Sequence, residues 1–208
     1  MLLAGSFEAL AQSFTYTGSM ASRRVYHTAT LLDSGQVLVA GGEFKGHYGL
    51  NTAELYNANT GAFSSTGTLN TGRERHTATL LHNGEVLIVG GQYVQFSTSG
   101  SQYICLASAE LYDPNTGKSA DTGSLKTARC ANFTATLLDD GTVLVVGGYN
   151  SGGIVAGAEL YNPSTGTFTS VGSPQVSRAA HAAALLPNGD VLIAGGGNAT
   201  TTFSSAEL

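Results

Sequence analysis

Arginine and glutamate recur together along this chain at a fixed interval. Arg24, Arg73, Arg129 and Arg178 return about every 50 residues, and Glu54, Glu110, Glu159 and Glu207 return in the same rhythm. Guanidinium groups displayed on one rim could grip carboxylates or sugar acids through paired hydrogen bonds. If each Arg instead meets the Glu of its own period, the same charges form an internal tie, and a charge repeated in every unit favours that role. His27, His76 and His181 share one repeat position, with Phe133 breaking the series. Imidazoles related by rotation around a ring stand too far apart to reach one metal at about 2 Å. Packing or capping is therefore the expected role, with no metal and no cofactor. His47 and His82 are isolated.

The strongest departure from the rhythm is QYVQFSTSGSQYICLAS, Gln92 to Ser108, which reads as a long loop, longer by about seven residues than the equivalent loop in the preceding unit. It offers Tyr93, Phe96 and Tyr103 beside hydroxyls and amides, a composition suited to adaptable recognition on a rigid scaffold. The alternative is a surface insertion whose aromatics fold back over the neighbouring unit. Cys105 lies in this stretch, and Cys130, the only other cysteine, follows Arg129. Both fall at irregularities of the repeat and on the same side of it, so a disulfide between them is one expectation and two free thiols the other. No nucleophile elbow is present, and no Gly-rich loop opens a helix to hold phosphate.

Positioning these residues requires a repeated scaffold. HTATLLDSGQVLVAGG, from His27 to Gly42, returns as HTATLLHNGEVLIVGG, FTATLLDDGTVLVVGG and HAAALLPNGDVLIAGG. Each copy reads as a Thr-rich strand, a tight turn of Asn, Asp and Gly, and a β-branched strand stopped by Gly-Gly. The pairs are Gly41-Gly42, Gly90-Gly91, Gly147-Gly148 and Gly195-Gly196. A third strand, TAELYN or its equivalent, and a fourth, such as AFSSTG or TFTSVG, complete each period. Four antiparallel strands per unit of about 50 residues give an all-β protein built as a propeller, with sheets that cannot fold singly and stack on their copies. The Gly-Gly pairs belong where neighbouring sheets approach too closely for a side chain.

These features resemble the kelch repeat, in the variant of bacterial kelch and galactose-oxidase-central-domain-like proteins: a strand ending in Gly-Gly, then AELY with Tyr56, Tyr112 or Tyr161, then an aromatic after a TG turn. That aromatic is Phe63 and Phe168, with Phe14 in a partial first copy, while the third position holds Ser119. The resemblance implies a kelch-type β-propeller of four four-stranded blades, either a small closed ring or a fragment of a six- or seven-bladed one. It spans residues 14–208, with 1–13 an extension or the remnant of a signal segment. SFTYTGSM supplies a fourth strand and SSAEL ends on a third, so the two ends are expected to complete one blade; an incomplete ring is expected to self-associate. The copper ligands of galactose oxidase do not map residue by residue onto this sequence, so that resemblance covers the scaffold only.

Composition excludes several partners. Net charge is −5, charged residues make up 11%, and Lys and Arg are only nine and scattered. No basic stripe tracks a nucleic-acid backbone, and no apolar run is long enough to span a bilayer. The expected function is a non-catalytic binding or structural module that recognises a protein or a glycan through its variable rim, in an extracellular or periplasmic setting rather than the cytoplasm. The alternative is a carbohydrate-active enzyme, such as an oxidase or a sugar epimerase, on the same scaffold.

Overall fold

The computed structural model describes residues 14–44, 48–98 and 100–208. Segment 1–13 and His47 lie outside the described residues. Blade one is β1 (Thr28–Leu31), β2 (Val37–Ala40), β5 (Thr52–Asn57) and β6 (Ala62–Thr68), with a small rim hairpin of β3 (Glu43–Phe44) and β4 (Tyr48–Gly49) between its second and third strands. Blade two is β7 (Thr77–Leu80), β8 (Val86–Val89), β11 (Ala109–Asp113) and β12 (Lys118–Asp121), with the hairpin β9 (Gln92–Ser97) and β10 (Gly100–Cys105) at the same place. Blade three is β13 (Ala131–Leu137), β14 (Val143–Asn150), β16 (Ala158–Asn162) and β17 (Thr167–Val171), with β15 (Gly153–Ile154) pairing the extended end of β14. Blade four has three strands: β18 (Ala182–Leu185), β19 (Val191–Ala194) and β20 (Ala206–Glu207). Every pairing is antiparallel, and no helix occurs among the described residues.

The tight turns do what their composition requires. Gly35 stands at φ 78°, and its N–H donates to Leu32 O at 2.9 Å, closing the turn between β1 and β2. The strands then alternate between two apolar faces, because successive side chains point to opposite sides. In blade one, Leu38 and Ala40 face blade two, where Val86, Ile88 and Tyr112 meet them. In blade two, Leu87 and Val89 face Val143, Val145 and Tyr161 of blade three. The core is thus a series of joints between sheets, and the inner strands β1, β7, β13 and β18 follow one another along the arc.

The order-breaking Ser119 has a visible cost. Tyr56 packs on Phe63, and Tyr161 on Phe168, each with ring centres 4.8 Å apart. Tyr112 sits opposite Ser119, whose buried hydroxyl has no hydrogen-bond partner, and β12 is the shortest of the three outer strands.

Two expectations are corrected here. The fourth blade is not four-stranded and the ends do not meet: β20 pairs only with β19, while Phe14–Gly18 joins no strand. The reason is local. Gly18 N–H donates to Gly61 O at 2.7 Å and the Thr17 hydroxyl bonds Tyr56 at 2.8 Å, so the amino-terminal segment follows blade one. The stretch read as a long loop, Gln92 to Ser108, is largely a hairpin, because Tyr93, Val94 and Phe96 are strand formers and Gly100 turns the chain at φ 125°.

Candidate functional site

The repeated charges sit inside. Arg24 meets Glu54 at 2.7 Å, Arg73 meets Glu110 at 2.6 Å, Arg129 meets Glu159 at 3.2 Å and Arg178 meets Glu207, with the four arginine side chains 0–1% exposed. Each fork is also held by backbone carbonyls: Arg73 Nη1 donates to Gly90 O at 2.8 Å and to Ser108 O at 3.1 Å. The glutamates accept two main-chain N–H groups each from the connection entering their blade, as when Glu110 receives Asn70 at 2.6 Å and Thr71 at 3.0 Å. Burial alone would raise the Glu54 carboxyl, but the N–H groups of Ala21 and Ser22 and the Arg24 guanidinium together hold it below the usual carboxylate range. Sealed in this way, the four arginines present no fork to the rim, and a ring of guanidinium groups for ligand carboxylates is not formed.

The glycine pairs and the histidines share the joints between blades. At Gly41, φ 63°, an added Cβ would stand 2.6 Å from Arg73 O and 2.7 Å from the His76 ring of the next blade. Gly90 lies likewise under Phe133, and Gly147 under His181; Gly195, in the last blade, has no such neighbour. The second glycines connect blades through hydrogen bonds: Gly42 N–H donates to Arg73 O at 2.8 Å, Gly91 to Arg129 O at 2.9 Å and Gly148 to Arg178 O at 3.1 Å. Gly196 stands against Ala179 and His181 of its own blade. His76 Nε2 bonds Thr28 of the preceding blade at 2.9 Å, and His181 Nε2 bonds Thr134 at 2.9 Å. Phe133 cannot do this for Thr77, whose buried hydroxyl is left without a partner. Burial, with Arg73 and His27 nearby, pushes His76 down to about 3; burial and Arg178 lower His181 in the same direction.

The non-repeated residues follow each buried Arg in the same connection, at the inner rim ahead of the blade's first strand. Just before each His or Phe the chain enters the left-handed region at a non-glycine residue: Tyr26 at φ 56°, Arg75 at 57°, Asn132 at 59° and Ala180 at 54°. Such angles cost about 1–3 kcal/mol each and persist only where surroundings enforce them. Here they aim N–H groups along the arc, Arg75 N–H to Tyr26 O and Ala180 N–H to Asn132 O, both at 2.9 Å. The four side chains differ completely, unlike the backbone that carries them. The Arg75 guanidinium lies 3.5 Å from the Tyr26 ring centre, a cation–π stack that leaves its edge open.

Beside Arg75, Gln92 donates to Glu74 at 2.8 Å. Burial pushes the Glu74 carboxyl up; the Gln92 amide opposes this, the neighbouring Glu43 carboxyl reinforces it, and Arg75 opposes it. The hairpin β9–β10 rises over this ground. Its Tyr103 is 55% exposed and Phe96 48%, Tyr93 is half-buried, and Phe96 meets Tyr48 of the first rim hairpin at 5.2 Å. Cys105 and Cys130 are joined by a disulfide, with Cα atoms 4.5 Å apart, which ties the base of this hairpin to the entry of blade three. Between this hairpin and blade three lies a cleft of ≈ 520 Å³ walled by Arg75, Gln102, Tyr103, Tyr149 and Asn150.

Thus Tyr103 and Phe96 are exposed on the hairpin, Phe96 leaning on the first blade's Tyr48, while the arginines are buried. Tyr26, Glu74, Arg75, Tyr149 and Asn150 were missed. Their signal was available: apart from Asn150, which Asn198 matches in blade four, each occupies a repeat position whose residue type changes from blade to blade.

Residues 129–175 match the Kelch motif. That stretch is blade three together with its entry, so the unit defined by strand pairing is the unit the motif describes. The fold is a kelch-type β-propeller arrangement, all-β and antiparallel, of the kind that serves generally as a protein-binding or structural module. No curated protein matches the chain.

Proposed function

We propose that this kelch-type module binds a protein or glycan partner through the cleft between hairpin β9–β10 and blade three. The observation that carries the reading is the contrast within one structure: polar groups repeated in every blade are spent internally, whereas Arg75, Gln102, Tyr103 and Tyr149, repeated in none, converge with Asn150 on one open cleft. Flat tyrosine faces suit peptide side chains or the C–H faces of sugars, and amides and a guanidinium edge supply directed hydrogen bonds. The disulfide at the hairpin's base limits its freedom and so lowers the ordering cost of binding. The same bond supports work in an oxidising, extracellular or periplasmic compartment.

The binding test is a screen of glycan and peptide arrays with the whole chain, followed by titration of hits against Tyr103→Ala and Asn150→Ala. Loss of at least tenfold in affinity in both variants is expected. Unchanged affinity in both would remove the cleft from the account. The alternative, a carbohydrate-active enzyme, is favoured by one observation, the juxtaposed Glu43 and Glu74 carboxyls, with burial pushing the Glu74 carboxyl up. Two carboxyls held in different environments are the apparatus of acid–base chemistry. Turnover of a bound sugar that disappears in Glu74→Gln, with binding kept, would establish that reading instead.

A further inference from the structure

We infer that the free edge of β10 is a docking edge for an extended segment of a partner protein, which adds to the hairpin as a third strand inside the rim cleft. This rests on the reading of that cleft as a binding site and narrows its occupant to a peptide. The hairpin's own pairing fixes which backbone groups are free. Gln92 directs both its N–H and its C=O to Glu74, at 3.0 and 2.9 Å, so it exchanges no bonds with Cys105, the residue opposite it in the hairpin. Bonded and non-bonded pairs alternate along an antiparallel ladder. The bonds of the hairpin therefore belong to the pairs Tyr93–Ile104, Gln95–Gln102 and Ser97–Gly100. Ser101, Tyr103 and Cys105 turn their N–H and C=O groups away from β9, to the side on which no strand pairs with β10.

An open edge is normally defended by a charge, a proline, a bulge or a covering element. β10, GSQYIC, has none of the first three, and its register with β9 is unbroken. The far side of β9 is covered by the first rim hairpin, with Tyr48 against Phe96. The far side of β10 meets the cleft instead: Gln102, Tyr103 and Cys105 form one wall, and Tyr149, Asn150 and Ser151 the other. A strand added there would lie about 4.8 Å from β10, with a donor and an acceptor at every second residue. That is the interval of Ser101, Tyr103 and Cys105, and a glycan offers no such alternation. Across the cleft, Asn150 Oδ1 is held by Gly152 N–H at 2.8 Å, which leaves the amide N–H groups to donate. Arg75 is the one charged residue on the walls and forms no ion pair, and the adjacent Glu74 is buried with its Oε1 held by Gln92. Charge complementarity therefore assigns the docked segment an Asp or Glu side chain directed at Arg75.

The test is selection of binders by the whole chain from a displayed library of linear peptides, with a glycan array in parallel. Peptides carrying Asp or Glu are expected, and each is then resynthesised with single backbone N-methyl groups. Methylation at alternate amides is expected to lower affinity at least tenfold, and methylation at the amides between them to change it less than twofold. Peptide binding is expected to slow hydrogen exchange at the amides of Ser101 and Tyr103 and to leave those of Gln102 and Ile104, already paired, as they were. Tyr103→Pro removes an outward N–H at an edge position that tolerates proline, so it is expected to bind more weakly than Tyr103→Ala with the parent's circular dichroism spectrum. Glycan hits lost in Tyr103→Ala, with no peptide hit, would keep the cleft and overturn the docking edge. Peptide affinity lost in Tyr103→Ala but indifferent to the position of the N-methyl group would do the same. Peptide hits unaffected by Tyr103→Ala and by Asn150→Ala would overturn both. A concentration-dependent dimer with Ser101 and Tyr103 already protected would give the edge to a second copy, and a library that yields no binder overturns the docking edge as well.

Discussion

The Arg–Glu ties and the rim cleft of blade two use the same kinds of side chain for opposite ends. Arg73 and Arg75 are two residues apart. Arg73 is fully buried, its fork closed by Glu110 and two carbonyls, and it has counterparts in every blade. Arg75 lies on a left-handed backbone at the inner rim, stacked on Tyr26 with one edge facing a cleft, and it has no counterpart. The difference teaches that repetition separates two kinds of charge in this chain: the arginine that holds a blade to its entry recurs in every blade, while the arginine at the cleft occurs once.

The sharpest way to break that comparison is at the tie. Arg73→Ala strands Glu110 without its cation, and removing one partner of a buried pair typically costs about 3–5 kcal/mol. Urea unfolding of this variant is expected to shift by that amount or to show no folded state, whereas Arg75→Ala should stay within about 0.5 kcal/mol of the parent. Equal effects at the two positions would dissolve the distinction.

Gly41→Val comes next. The added side chain meets Arg73 O and the His76 ring at 2.6 and 2.7 Å, on a backbone that disfavours any branched residue. A loss of roughly 2–4 kcal/mol is expected, beyond the ~1 kcal/mol span of strand propensity. At Gly195, which faces no further blade, the same change should cost less.

A comparable but more local effect is expected from the disulfide. Replacing both cysteines with serine frees a 25-residue separation and should cost about 2–4 kcal/mol while leaving the blades assembled. Hydrogen exchange would show the loosening concentrated in β9–β10 and the entry of blade three.

The histidine positions give a graded, pH-dependent comparison. His76 stays neutral in the fold down to about pH 3, whereas in the unfolded chain it takes up a proton near 6.5. The unfolded state therefore binds more protons between those values, and stability falls as the pH drops through that window, by at most ~1.4 kcal/mol per pH unit from this residue. Glu54 and Glu207, held below 4.5, add losses of the same sign only at the lower end. His76→Phe, which copies blade three, should flatten the slope above pH 4.5 while stranding the Thr28 hydroxyl at a cost on the order of 1 kcal/mol. Phe133→His should do the reverse, giving Thr77 a partner and steepening the acid response. Parallel pH–stability curves for parent and variants would contradict the assignment.

Much of this was legible in the sequence. The strand TAELYN is β5 to the residue, and the Gly-Gly stops and Asn-Gly turns fall where the ladder ends. Repetition made those features readable, since each was stated four times. The Arg–Glu ties were equally legible as a rhythm, but rhythm alone does not say whether a guanidinium points into a joint or out over a rim. The hairpin β9–β10 was read as loop because it has no counterpart of its length to align with. The inner-rim set was hidden for a different reason: Tyr26, Arg75, Asn132 and Ala180 share a repeat position, just before the His or Phe, but no chemistry, so the left-handed backbone that unites them shows only in the coordinates. The open ends were hidden too, since the sequence shows complementary strands but not which neighbour they join.

The central claim is that non-repeated rim residues bind and repeated buried ones build. It is tested most directly by measuring, on one set of variants, both the unfolding midpoint and the affinity for a partner found by array. Tyr103→Ala and Arg75→Ala are predicted to keep the parent's midpoint and lose at least tenfold in affinity, while Ser108→Ala, which removes a hydroxyl on the Arg73 fork, is predicted to lower the midpoint and leave affinity within twofold in the folded fraction. The opposite pattern, with affinity following stability across all three variants, would contradict the account.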